Sequence, residues 1–155
     1  MTSSSERGVP HSLVGEVWPH NHPGREGTHY GSAVLSPSGA FPVRSYQTFH
    51  LTYTVGDFGL DDTGGIRVAF RFLGDWGALQ TKDPAAPNYV TAHCPGGGTI
   101  TLEFHPLGGE RPWYKALTAR LNGGYLKPGD EVVIVFGDTS GGSPGFLLQT
   151  FAESA

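Results

Sequence analysis

Cysteine and histidine are the residues here best suited to act as nucleophile, base or metal ligand, and spacing decides what each can do. His93 and Cys94 are adjacent, the raw material of a thiolate–imidazole pair. Neighbouring side chains on an extended chain point to opposite faces, so His93 is badly placed to activate Cys94. A structural, partly buried thiol is the expectation. His20 and His22 are two residues apart and would point the same way on an extended chain, as strand-borne metal ligands do. Pro19 and Pro23 flank the pair, and Glu16 and Glu26 are the nearest carboxylates. Transition-metal ligands need rigid neighbours, and none is evident there, so a histidine-bearing tail is expected and a metal pair is the competing reading.

The other polar groupings carry less. Asp57, Asp61 and Asp62 share one loop but lack the spacing of a calcium-binding loop, so an acidic turn is expected. Gly137 to Gly145, GDTSGGSPG, has the glycine content of a phosphate cradle. It has no lysine and leads into a strand rather than a helix, so it is not read as one. Ser143 lacks the strand-to-helix elbow that presents a nucleophilic serine. His50 lies on the polar face of its strand, where solvation is expected rather than catalysis. No paired acid and base, triad or metal cage emerges, so no catalytic residue and no cofactor is expected.

Aromatic residues offer a different chemistry. Trp76 and Trp113, with Tyr89, Tyr114 and Tyr125, could stack a sugar or other flat ligand. Core packing is the ordinary fate of such residues. Trp76 is the one expected to be exposed, because it lies in the long 73–88 connection beside Asp75, Gln80 and Asp83. Trp76, Gln80, Asp83, Trp113 and Tyr114 are therefore the candidate ligand- or partner-binding residues.

Strands must position these groups. Val132 to Phe136 is a five-residue apolar run set between Pro128-Gly129-Asp130 and Gly137-Asp138, the mark of a strand buried on both faces. SYQTFHLTYTVG places Phe49, Leu51, Tyr53 and Val55 on one face and Thr48, His50, Thr52 and Thr54 on the other. GGIRVAFRF repeats the pattern, with Ile66, Val68, Phe70 and Phe72 inward and Arg67 and Arg71 outward. Ala33–Ser36, Tyr89–Cys94, the 99–104 run TITLEF and Phe146–Phe151 read as further strands. The 112–122 stretch fits two periods. Trp113, Leu117 and Leu121 have helical spacing after Pro112, whereas Leu117, Ala119 and Leu121 alternate as a strand. Strand is preferred, because Gly123-Gly124 and the surrounding spacing suit an all-β chain. The expected fold is an all-β, antiparallel immunoglobulin-like or jelly-roll sandwich of about eight strands over 31–153. Residues 1–30, polar and without period, read as an irregular N-terminal arm.

Composition limits the partners. The chain has 155 residues, enough for one domain, and its 24 glycines and 12 prolines fit a turn-rich β fold. Only 15% of residues are charged, against about a quarter in ordinary domains. The net charge of −4, with no basic stripe, argues against nucleic acid. No apolar run approaches the ~20 residues that span a bilayer, so no membrane partner is expected. One cysteine excludes an internal disulfide, and the start lacks an apolar signal region, so a cytoplasmic location is expected.

Several stretches together carry a family likeness: SYQTFHLTYTVG, DDTGGIRVAF, KDPAAPNYVTA, RPWYKAL, GGYLKPGDEVVIVFGD and GSPGFLLQTF. In this order they resemble the amino-terminal β-sandwich of a bacterial family of unknown function (DUF3604), whose later part resembles PHP-type metal hydrolases. The resemblance implies an accessory, non-catalytic module and assigns no metal role to His20 or His22, which precede the matching region. Its expected partner is another protein part: the remainder of a longer polypeptide, a separate subunit, or a second copy in a homo-oligomer. The alternatives are a carbohydrate or small-ligand binding module at Trp76, and a stand-alone metal enzyme using His20 and His22.

Overall fold

The computed structural model describes residues 30–71, 74–109 and 113–151, and they form an all-β sandwich. Among these residues nine strands follow in order: β1 (Gly31–Ser36), β2 (Tyr46–Gln47), β3 (Phe49–Val55), β4 (Gly65–Phe70), β5 (Val90–His93), β6 (Thr99–His105), β7 (Lys115–Asn122), β8 (Glu131–Phe136) and β9 (Phe146–Leu147). One layer is a four-stranded sheet ordered β1-β3-β8-β5, and the other a three-stranded sheet ordered β4-β7-β6. The short β2 and β9 pair with each other. Every strand pair is antiparallel. Among the described residues there is no α-helix, and none is long and apolar enough to cross a membrane.

The pairing is nested. β3 pairs with β8 and β4 pairs with β7, and the inner β5 and β6 then join the two sheets separately. That nesting is of jelly-roll type and differs from the immunoglobulin strand order.

Alternation explains the core. On β8, Val132 and Ile134 are fully buried and Phe136 nearly so. Between them, Val135 lies on the outer face, opposite His50 on one side and Thr91 on the other, and is still only 8% exposed. The strand is thus covered on both faces, as its apolar run predicts. On β7, Leu117, Ala119 and Leu121 are buried at every second position. Pairing with β4 and β6 on its two sides fixes β7 as a strand and removes the helical alternative. Burying each such leucine or isoleucine stabilises the fold by about 1.5–3 kcal/mol. Phe49, Leu51 and Tyr53 of β3 and Ile66, Val68 and Phe70 of β4 pack onto this cluster, while Arg67 points out.

Two segments depart from their expected extent. The 45–56 run is divided at Thr48, whose hydroxyl donates to the Gly137 carbonyl at 2.8 Å instead of facing a strand neighbour. The last strand stops at Leu147 rather than Phe151. Beyond it the chain turns toward Asp75, whose carboxylate accepts from the Thr150 amide at 2.8 Å and from the Thr150 hydroxyl. Gly137 enables the β8-to-β9 return. Its φ is +71°, and a Cβ there would meet the Phe146 nitrogen at 2.1 Å and the Gln47 carbonyl oxygen at 2.6 Å.

Candidate functional site

Among the described residues, four strands facing three leave one edge of the sandwich uncovered. β3 lies across from β4, since Leu51 and Val68 line the same cavity, so β1 extends past the last described strand of the other layer. Leu35 pairs with Leu51 in register and shares its inward face, yet Leu35 is 50% exposed while Leu51 packs on the core. The resulting cleft holds about 220 Å³ and is lined by apolar side chains alone, among them Leu35, Phe49, Leu51, Val68, Phe70 and Phe146. β1 carries no charge along its whole length, GSAVLS, and Val34 on its outer face is 65% exposed. At its start the Tyr30 and Phe58 rings meet at 5.3 Å and extend the apolar margin.

A second cavity, of about 350 Å³, shares Phe146 with the first and is bounded by Phe41, Trp76, Leu148, Gln149 and Phe151. Ring contacts connect the two. Phe41 meets Phe49 edge-on at 5.2 Å, and Phe70 meets Trp76 at 4.7 Å. Burial of aromatics supplies most of the packing at this end, and edge-on or tilted geometry suits their quadrupoles.

Trp76 is not the exposed loop aromatic that its position in the 73–88 connection predicts. It is half-buried, with its ring also 5.4 Å from Phe146 and 6.1 Å from Phe104. The Lys115 ammonium sits over the ring, 4.4 Å from its centroid, and also donates to the Gly74 carbonyl. Only part of the ring remains open to the cavity.

The other predicted residues do not gather around Trp76. Gln80 staples its own loop. Its amide donates to the Asp83 carbonyl at 2.8 Å, and its side-chain oxygen accepts from the Lys82 and Asp83 amides at 2.9 Å each. It lines a third cavity, of about 390 Å³, with Leu79, Lys82, Leu102 and Glu103. Asp83 caps the turn through the Ala85 amide at 2.9 Å. Trp113 is 49% exposed and Tyr114 half-buried beside the 105–109 turn, where the Tyr114 carbonyl accepts from the Gly109 amide at 3.0 Å.

The ionisable groups have structural roles. Asp138 accepts from the Thr91 hydroxyl at 2.7 Å and from the Ser140 amide at 2.9 Å. These bonds, the Thr91 one first, hold its carboxyl below the ordinary aspartate range, with nearby His50 adding to the effect. Asp75 is lowered in the same way, chiefly by the Thr150 hydroxyl and then the Thr150 amide. Burial pushes the Cys94 thiol up, and the Asp130 carboxylate adds to the shift, so Cys94 is the opposite of an activated nucleophile. His93 is exposed while Cys94 is half-buried, as alternation requires. Asp61 accepts from the Asp62 amide and Asp62 from the Gly123 amide, each at 2.8 Å, so both serve turns. Ser143 is 4% exposed, and its hydroxyl accepts from the Gly145 amide. Among the described residues, no three His, Cys, Asp or Glu side chains are grouped to hold a metal. His20 and His22 lie outside the described residues.

Sequence reasoning missed Leu35 and Val68 as lining residues of an open cleft, and Phe41 as one of the second cavity. Alternation marks Val68 as inward, but only the unequal strand count of the two sheets leaves that inward face accessible. No family model, curated protein or solved structure matches the chain.

Proposed function

We propose that this chain is a non-catalytic interaction module that packs its uncovered edge against another protein part, as an accessory to a larger or multi-subunit metal-dependent hydrolase. The carrying observation is the uncharged β1 strand with half-exposed Leu35 beside an all-apolar cleft. Soluble proteins usually blunt such edges with charge, proline or a covering segment, and an apolar margin left bare is the mark of an interaction surface. Support for the hydrolase context comes from the resemblance of its motifs to a domain that precedes PHP-type hydrolases. A net charge of −4 favours a protein partner over nucleic acid.

The deciding experiment is the native mass of the protein from its source, followed by native mass spectrometry of the complex it enters. A longer polypeptide or a stable hetero-complex is expected. A native 16.5 kDa monomer without a partner overturns the reading.

A second reading is favoured by the 350 Å³ cavity, where the partly open Trp76 ring and the Gln149 amide could take a sugar or other small flat ligand. Tryptophan fluorescence across a glycan panel tests it. A flat response removes it.

A further inference from the structure

Resting on the interaction-module reading, we propose that the groove beside β4 takes one extended β-strand from another polypeptide. That strand has apolar residues at alternate positions and an acidic residue on its outward face.

The backbone dictates a strand. β4 is the edge of its sheet, with β7 as its one described neighbour. In an antiparallel pair, alternate residues turn both N–H and C=O away from the partner, so β4 presents a row of donors and acceptors along its far side. Another strand is the structure that satisfies such a row, as in strand-addition complexes.

The layers dictate which edge. A strand added beside β4 makes the layers four and four, faces β1, and covers Leu35 and the cleft. A strand added outside β1 makes them five and three and leaves the cleft open. The apolar lining dictates the alternate residues. An apolar cavity of about 150 Å³ takes benzene, so the 220 Å³ here admits at least one large aliphatic or aromatic side chain.

Charge dictates the outward residue. Arg67 is exposed on the outward face of β4, where its guanidinium donates a long 3.5 Å bond to the Gly108 carbonyl. An Asp or Glu directly across the new pair complements it.

A separate polypeptide is the fitting donor. Residues 1–29 contain no three apolar residues at successive alternate positions, and three prolines interrupt them. A second copy's free edges, β1, β4, β5 and β6, each come attached to a sheet and its facing layer, whereas a single extended strand enters the groove alone.

The test uses the full chain and two synthetic peptides of about ten residues. One alternates Val and Leu with Thr and a single Asp. The other has the same composition with the alternation broken. Calorimetry measures binding, and amide hydrogen exchange locates it. The alternating peptide is expected to bind one to one and to slow exchange at alternate β4 amides at least about tenfold, with no binding by the shuffled peptide. Leu35→Asp, at a half-exposed position, is expected to weaken binding at least about tenfold by placing a carboxylate against the apolar strand. Arg67→Glu should weaken binding of the alternating peptide about two- to fivefold, and replacing that peptide's Asp by Asn should abolish this effect of the substitution.

Equal binding of the two peptides, or protection at β1 instead of β4, overturns the proposal. So does protection, in the chain alone, of the β4 amides that turn away from β7: at monomer mass it identifies the chain's own segment as occupant, at dimer mass a second copy. If neither peptide binds while the native chain stays in a stable hetero-complex, strand addition fails and the module reading stands. A native monomer without a partner removes both.

Discussion

Trp76→Ala separates a packing residue from a ligand-binding one. Replacing a buried Phe or Trp by Ala costs about 3–5 kcal/mol. Trp76 is half-buried and borders a cavity, so the gap it leaves is partly open to water, which places the cost near the low end of that range, at about 3 kcal/mol. Within that figure, the ring pairs with Phe70 at 4.7 Å and Phe146 at 5.4 Å each contribute about 0.5–1.5 kcal/mol beyond area. The Lys115 ammonium over the ring adds about 0.5–1 kcal/mol, although its bond to the Gly74 carbonyl survives the change. In a chain of this size the loss corresponds to about 10 °C in Tm. Trp76→Phe keeps part of the ring cluster and should cost about 1–1.5 kcal/mol. Urea denaturation followed by circular dichroism measures both, and an unchanged slope certifies that stability alone has moved. A cost below about 1 kcal/mol for Trp76→Ala, at constant slope, refutes the packing argument and makes Trp76 a surface aromatic free to serve a ligand.

Two further outcomes follow from backbone and charge. Gly137→Ala should destabilise by about 2 kcal/mol or more, because a left-handed φ of +71° combines with a Cβ 2.1 Å from the Phe146 nitrogen. Gly129→Ala, at φ +89° with nothing within 4 Å of the added Cβ, should cost only about 1 kcal/mol in the same denaturation assay. The Asp138 carboxyl is lowered on folding, so its contribution is present above the unfolded aspartate value of about 4 and is lost as pH falls through the lower folded value. Asp138→Asn should therefore flatten the acid limb of a stability–pH curve below about pH 4. An acid limb as steep as the parent's contradicts the role given to the Thr91 bond.

Local pattern determined much of this protein. The alternation in Phe49–Val55, Gly65–Phe70 and Thr99–His105 marks which side chains turn inward, because a strand's two-residue period is a property of the backbone itself. The unbroken apolar run at Val132–Phe136 marks the strand covered on both faces, and Leu117, Ala119 and Leu121 alternate as a buried strand requires. Glycine and proline punctuation sets where the segments end. The opposite facing of His93 and Cys94 was legible for the same reason as the strands.

Tertiary structure decided what depends on residues far apart in sequence. Trp76 sits in a loop by local pattern, yet Phe70, Phe104, Phe146 and Lys115 converge on it from four strands. Gln80 has the composition of a ligand residue, and its hydrogen bonds turn back into its own loop. The cleft was illegible because no single stretch encodes it. It exists because the nested pairing assigns four strands to one layer and three to the other, and strand order is set by which surfaces meet, not by the period within any one of them.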